Sequence, residues 1–199
     1  MRWRPGNESR KPQALRLLPI LAAAAALALL AGNASASDVF GVNPIFGDAE
    51  NDDTAAVQYL LSKGKSIEDE NPAGDTVLNI AAANGFLDLV ELAINNGAAI
   101  DHEDHYGKTA LCWAAERGHL DVVKRLIKAR ADIDHQTKEG LTPLMLAVRQ
   151  DRASVVQLLL HYSPNLTVLD YTGRGALGWA QAGRDPRLET MLVRAGAKD

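Results

Sequence analysis

Apolar residues recur along most of the chain at a fixed interval of 33 positions. Ile45, Leu78, Leu111, Leu144 and Leu177 each stand four positions after a glycine that keeps the same interval. A fixed period of this length is typical of repeat proteins, in which neighbouring units bury one another's apolar faces. The pattern therefore predicts one structural unit written five times, over approximately residues 38–70, 71–103, 104–136, 137–169 and 170–199.

The polar and apolar spacing inside each unit predicts two short helices. In the third unit, the alanine-rich segment 110–117 is predicted as a first helix and 120–128 as a second. A threonine precedes the first helix in three units, where its hydroxyl can cap the helix by accepting an early backbone N–H. These threonines are Thr76, Thr109 and Thr142. An extended stretch then follows the second helix.

Three segments carry a resemblance to a known family. They are residues 74–78 (GDTVL), 107–111 (GKTAL) and 140–144 (GLTPL), each followed by an alanine at 81, 114 or 147. The pattern resembles the ankyrin repeat family over approximately residues 38–199. The resemblance implies an all-α repeat: an ankyrin solenoid of about five helix-turn-helix units with β-hairpin fingers. It also implies that fingers and first helices form a concave binding face.

The fourth unit departs from its neighbours at two turn positions. Asp151 stands where the third unit has Gly118, and Ser163-Pro164 stand where the second unit has Gly97-Ala98. Glycine is the residue that most readily adopts the left-handed conformations of helix ends. We therefore expect a distorted finger between units four and five.

The first 36 residues read as a leader. A basic segment precedes an uncharged apolar run over residues 17–31, and Ala34-Ser35-Ala36 follows. This order is typical of a secretory signal peptide, predicted to be cleaved after Ala36. An uncleaved anchor is the alternative, but 15 residues of helix span about 22 Å, short of the roughly 30 Å hydrocarbon core. We expect a periplasmic or secreted repeat domain over residues 37–199, with no membrane span after cleavage.

Charge and cysteine content narrow the possible partners. Without the leader, 16 Lys and Arg face 24 Asp and Glu, a net charge of −8 over 163 residues. This balance argues against nucleic-acid binding and favours cationic partners. Glu68, Asp101 and Asp134 share one register and form an acidic line, which is either an ordinary solvated face or a surface for a basic partner. Cys112, the single cysteine, is predicted to be core rather than a nucleophile.

A histidine- and carboxylate-rich segment is the one candidate for metal binding. His102 and His105 lie among acidic residues, and His135 follows His102 by one period. Stacked helix pairs lie about 10 Å apart, too far for His102 and His135 to share a metal at about 2.1 Å. We expect no metal or cofactor, with a metal- or cofactor-handling accessory factor for an envelope redox enzyme left as the alternative. Trp113 and Trp179 share one register and are assigned to packing.

The family's binding face transfers to this sequence by register. Aromatic and arginine side chains dominate protein interfaces, which favours the third unit as the main contact. The candidate partner-binding residues are His105, Tyr106, Lys108, Glu116, Arg117, Lys138, Glu139, Arg149, Gln150, Tyr171 and Arg174. No catalytic pattern is evident, so an enzyme is the least favoured class. The sequence therefore predicts an exported, monomeric module that binds another protein.

Overall fold

The computed structural model describes residues 43–198, and helices account for most of them. The ten helices come in consecutive pairs, and no strand occurs between residues 43 and 198. In chain order they are α1 (Pro44–Glu50), α2 (Thr54–Ser62), α3 (Val77–Asn84), α4 (Leu87–Asn95), α5 (Ala110–Arg117), α6 (Leu120–Lys128), α7 (Pro143–Arg149), α8 (Ala153–His161), α9 (Ala176–Ala182) and α10 (Pro186–Arg194). The predicted bounds of α5 and α6 are confirmed.

The helix pairs stack into two layers. The first helices of successive units, α3, α5, α7 and α9, contact one another in order. The second helices, α2, α4, α6, α8 and α10, form the other layer, and the two helices of each pair from α3/α4 onward also pack against each other. One continuous apolar core runs between the layers, from Ile45 to Ala197. The all-α repeat fold predicted from the sequence is confirmed.

Alanine and threonine shape the first helices as expected. Ala114 and Ala115 of α5 are fully buried, because a methyl side chain lets the neighbouring helix approach closely. The Thr109 hydroxyl accepts the backbone N–H of Cys112 at 3.4 Å, which caps the start of α5. Thr76 and Thr142 cap α3 and α7 in the same way.

The fingers are hydrogen-bonded turns rather than paired strands. In the third unit, the N–H of Gly107 donates to the carbonyl of Asp104 at 2.9 Å, and the N–H of Asp104 donates to Lys108 at 3.0 Å. The β-hairpins implied by the family resemblance are therefore not confirmed as strands within residues 43–198.

Backbone hydrogen bonds join successive fingers. The N–H of His105 donates to Ala73 and that of Lys138 donates to Tyr106, both at 3.0 Å. Tyr171 likewise donates to Glu139 at 3.2 Å. One such bond per step fixes each finger tip relative to the next.

The expected distortion between units four and five is absent, and that expectation was wrong. Asp151 and Ser163 both adopt left-handed backbone, each with φ of 55°, at the positions where other units use glycine. The finger of unit five keeps the ordinary bond from Asp170 N–H to Arg174 at 3.0 Å. The backbone geometry of the unit is thus kept without glycine, at a cost in conformational strain.

Residues 45–198 belong to one compact unit. The predicted signal peptide, residues 1–36, lies outside the described residues. None of the helices between residues 43 and 198 has the length and apolar content needed to cross a bilayer.

Candidate functional site

An aspartate organises the finger of the third unit. Asp104 is buried, and its Oδ1 accepts the backbone N–H groups of Tyr106 at 2.7 Å and Lys108 at 2.9 Å. Its Oδ2 accepts the indole N–H of Trp113 at 2.8 Å. The turn is therefore tied to helix α5, and the Tyr106 side chain is displayed on a fixed tip with 64% of its surface exposed.

The fifth unit repeats this arrangement. Asp170 accepts the backbone N–H groups of Thr172 and Arg174, and the indole N–H of Trp179 at 2.9 Å. Burial alone raises the pKa of the Asp170 carboxyl, but the hydrogen bond from the Thr172 hydroxyl at 2.6 Å, together with the backbone and indole bonds, outweighs it and holds that pKa below its usual value. Tyr171 at the tip is 75% exposed. Two finger tips of the same construction thus lie two units apart.

The two tryptophans do more than pack, which corrects their assignment from the sequence. Both indoles are half-buried and face cations rather than only apolar neighbours. Lys108 Nζ lies 3.9 Å from the Trp113 ring centroid, and the Arg174 guanidinium lies 4.6 Å from that of Trp179. Cations at these distances are attracted by the ring quadrupole.

A four-membered ion-pair network connects units three and four. Glu116 of α5 accepts from Lys108 Nζ at 2.6 Å and from Arg149 Nη2 at 2.9 Å. Arg149 also approaches Glu139 at 3.4 Å, and its guanidinium lies 5.7 Å from the Trp179 ring. The network therefore reaches from the finger of unit three to the first helix of unit five.

The network fixes the charge of its central carboxylate. Only 12% of the Glu116 side chain is exposed. Burial alone raises the pKa of the Glu116 carboxyl, but the hydrogen bonds and charges of Lys108 and Arg149 outweigh it and lower that pKa. Glu116 is therefore ionised at neutral pH and holds both cations in place.

An open pocket of about 310 Å³ lies beside this network. Its lining is polar, with Trp113 as the one aromatic residue, and it includes a cation from the helix turn of unit four, Arg152. The lining residues are Lys108, Trp113, Glu116, Arg117, Gln150 and Arg152. Such a groove suits polar and charged groups better than an apolar ligand.

Most of the residues predicted from the sequence lie on this one surface. Lys108, Glu116, Arg117 and Gln150 line the pocket, and Arg149 bridges Glu116 to Glu139. The remaining five are finger residues: His105, Tyr106, Lys138, Tyr171 and Arg174. Lys138 Nζ donates to the carbonyl of His105 at 3.0 Å. The eleven residues stay a prediction as a partner-binding set.

Sequence reasoning missed five residues of the surface. These are Asp104, Trp113, Arg152, Asp170 and Trp179. The sequence did contain a signal for the two aspartates and the two tryptophans, because an aspartate precedes a tryptophan by nine positions in both units three and five. Arg152 gave no comparable signal, because its contact with the carbonyl of Glu116 spans 36 residues.

Two of the three candidate metal-binding histidines contact backbone carbonyls instead. His102 Nε2 lies 3.0 Å from the carbonyl oxygen of Gly74, and His135 Nε2 lies 2.8 Å from that of Gly107. Each histidine therefore ties the end of its unit to its own finger. Within residues 43–198, no three His, Cys, Asp or Glu side chains are grouped so as to hold a metal ion.

The acidic line has a role within the stack of units. Glu68 accepts the backbone N–H of Ala99 at 2.8 Å, and Asp134 accepts that of Asn165 at 2.8 Å. Asp101 accepts from Asp132 at 3.0 Å in the same register. Each carboxylate thus bonds to the following unit, which accounts for its regular placement without a basic partner.

Cys112 lies in the core, as predicted. Its side chain is fully buried in α5, and burial raises the pKa of the thiol to about 11. A thiol in this state is a poor nucleophile at neutral pH.

Comparison with known proteins identifies a family. A family model described as ankyrin repeats in three copies matches residues 45–137 and 126–198. The two matches together cover almost the whole described part of the chain. Comparison with curated proteins gave no match.

Proposed function

Because the chain belongs to the ankyrin repeat family, whose repeats are generally protein–protein interaction modules and typically not catalysts, we propose that it binds a partner protein. The binding surface is the inner face, defined here as the fingers and first helices of units three to five. It includes Tyr106, Lys108, Arg117, Arg149 and Arg174.

One observation carries this assignment: two large exposed tyrosines stand on finger tips that are fixed by buried aspartates. Tyr106 is 64% and Tyr171 75% exposed, although nothing in the apolar core requires them. Tyrosine and arginine are the residues most enriched at interface hot spots. Fixed tips also lower the ordering cost that association must overcome.

The proposal includes export, and its support is the leader sequence. The basic segment, apolar run and small residues up to Ala36 favour cleavage and a periplasmic or secreted location. N-terminal sequencing of protein recovered from the cell envelope and the medium tests this point. A mature N-terminus near residue 37 is expected, and intact protein in the cytosol would contradict export.

The partner surface is tested by affinity capture with a tagged full chain expressed in its native host. The double variant Tyr106→Ala/Arg117→Ala is expected to reduce recovery of the specific partner at least tenfold. Tyr162→Ala is the matched control, because Tyr162 is 41% exposed at the end of α8, in the second helix layer. Equal recovery with both variants would show that the inner face is not the binding surface.

A further inference from the structure

Charge is divided unevenly along the chain. Residues 43–107 contain 13 Asp and Glu but only Lys63 and Lys65 as cations. Residues 108–198 contain 14 Lys and Arg against nine Asp and Glu. The net negative charge of the chain therefore comes from the first units, whereas the later units carry a net positive charge. Such asymmetry between halves indicates a charged partner for one of them.

Six of these 14 basic residues belong to the inner face of units three to five. The equivalent positions of unit two have no cation: Pro72, Ala73, Asp75, Ala83 and Asn84. From unit three onward the same surface gains Lys108, Arg117, Lys138, Arg149, Arg152 and Arg174. The partner surface predicted from sequence therefore has the opposite sign to the whole chain.

The acidic groups on this face are largely committed to internal contacts. Glu116 is occupied by Lys108 and Arg149, and Asp104 and Asp170 are buried as turn acceptors. Glu139 contacts Arg149 at 3.4 Å. These carboxylates cannot also neutralise the other cations of the face.

Four cations of the inner face are not paired with any of these carboxylates. Arg117, Lys138, Arg152 and Arg174 make no ion pair with any carboxylate in the described part of the chain, and all four are exposed. Arg152 and Arg117 lie on the same open pocket, beside the Trp113 ring. Arg174 lies over Trp179 two units along. Guanidinium groups present paired donors that match a carboxylate geometrically.

We propose that the inner face of units three to five binds an acidic segment of the partner protein. Its carboxylates pair with Arg117, Arg152 and Arg174, and its backbone crosses the finger tips between Tyr106 and Tyr171. This inference rests on the proposed function and adds the partner's chemistry to it. It also reverses the preference for cationic partners that the net charge suggested.

A peptide fits this surface better than a nucleic acid. Asp151 lines a pocket together with Arg117 and Arg152, and the first two units are strongly acidic. A phosphate backbone carries a charge at every nucleotide and would be repelled by these groups. A peptide carries carboxylates only at some of its residues, so its uncharged residues can lie next to the acidic groups of the surface.

Fluorescence anisotropy with the full chain tests the inference. The probe is a labelled dodecapeptide of alternating Glu and Ala, and the control probe replaces every Glu by Gln. We expect binding of the Glu peptide only, weakening as salt is raised. Arg117→Gln/Arg174→Gln should weaken it about tenfold. Lys124→Gln/Lys128→Gln on α6 removes the same charge elsewhere and should leave the affinity unchanged.

Two further measurements separate the possible outcomes. A twelve-nucleotide oligothymidine and vesicles with anionic lipid are titrated in parallel. Binding of either as tightly as the Glu peptide would show unselective polyanion attraction and overturn the proposal. Captured partner is also challenged with the Glu peptide. If Tyr106→Ala/Arg117→Ala abolishes capture but the peptide neither binds nor displaces the partner, the proposed function stands and the acidic segment is wrong.

Discussion

Asn79 shows how a single buried side chain departs from the repeat pattern. It lies in α3 at 1% exposure, and neither its amide nitrogen nor its amide oxygen has a hydrogen-bond partner among the described residues. The equivalent positions in the next two units are Cys112 and Met145, both apolar and buried. An unpaired buried amide costs about 1–3 kcal/mol, so this position lowers the stability of the second unit.

Replacement of Asn79 by leucine is expected to stabilise the protein. Leucine has a similar branched shape and removes the unpaired polar atoms, so the free energy of unfolding should rise by about 1–2 kcal/mol. Urea denaturation measures the change. Asn84→Leu is the control, because the Asn84 amide donates to the carbonyl of Ile80 at 3.0 Å and should not stabilise. An unchanged or lower stability of Asn79→Leu would contradict this account.

Residue type alone does not predict every position with left-handed backbone in this chain. Gly85 and Gly118 adopt this conformation, which glycine favours, with φ of 81° and 89°. Arg130 and Asp151 adopt it without glycine, with φ of 68° and 55°. The conformation recurs at the helix-turn position of units one to four, whichever residue stands there, so packing overrides local preference at these turns. The register was therefore a better guide to these turns than residue type.

At the scale of elements, local signals were sufficient for helices but not for the contacts between units. The bounds of α5 follow from Thr109 before its start and Gly118 at its end, and those of α6 from Gly118 before its start and the apolar spacing along it. The bonds from Glu68 to Ala99 and from Asp134 to Asn165 each span 31 residues. No local pattern distinguishes such a carboxylate from a solvated one, which is why their role was missed.

The Glu116 network is the element-level contact with the clearest pH dependence. Because the pKa of Glu116 is lowered on folding, its contribution to stability is complete above the ordinary value of 4.5 and is lost as pH falls through the folded pKa. Glu116→Gln should therefore reduce the free energy of unfolding by about 1–3 kcal/mol at pH 7, and by progressively less below about pH 4.5.

Chemical denaturation from pH 7 to pH 3 follows this difference. Glu139→Gln serves as the control, because 73% of the Glu139 side chain is exposed and it makes one contact at 3.4 Å. Exposed pairs of this kind contribute about 0.2–1 kcal/mol, so its effect should be small at every pH. If the loss of unfolding free energy caused by Glu116→Gln stayed constant down to pH 3, the shape of the side chain rather than its charge would stabilise the network.

At the scale of the whole molecule, the sequence predicted the fold more completely than the chemistry of the face. A 33-residue register fixes which residues stack, because each unit must bury its apolar side against the next. Net charge, in contrast, averages the acidic first units with the basic later ones. Counting the charges of each half separately shows that the halves differ. The structure adds that Lys108 and Arg149 meet at one carboxylate, Glu116, and that Arg117 lines the pocket beside it.

Stability should also differ along the stack, with its maximum at the centre. Six of the seven residues of α7 are buried between α5 and α9, from Pro143 to Val148. Helix α9 buries only three of its seven. In a repeat protein, terminal units have one stabilising interface and central units have two, so the ends open at lower free energy.

Hydrogen exchange measured by mass spectrometry tests this gradient. Amides of α5 and α7 are expected to exchange slowest, and those of α1 and α10 at least tenfold faster, because a terminal unit opens without breaking a second interface. Asn79→Leu should slow exchange in α3 more than in α9, since it strengthens the second unit locally. Uniform exchange across all helices would show instead that the units unfold together, so that no position along the stack opens independently.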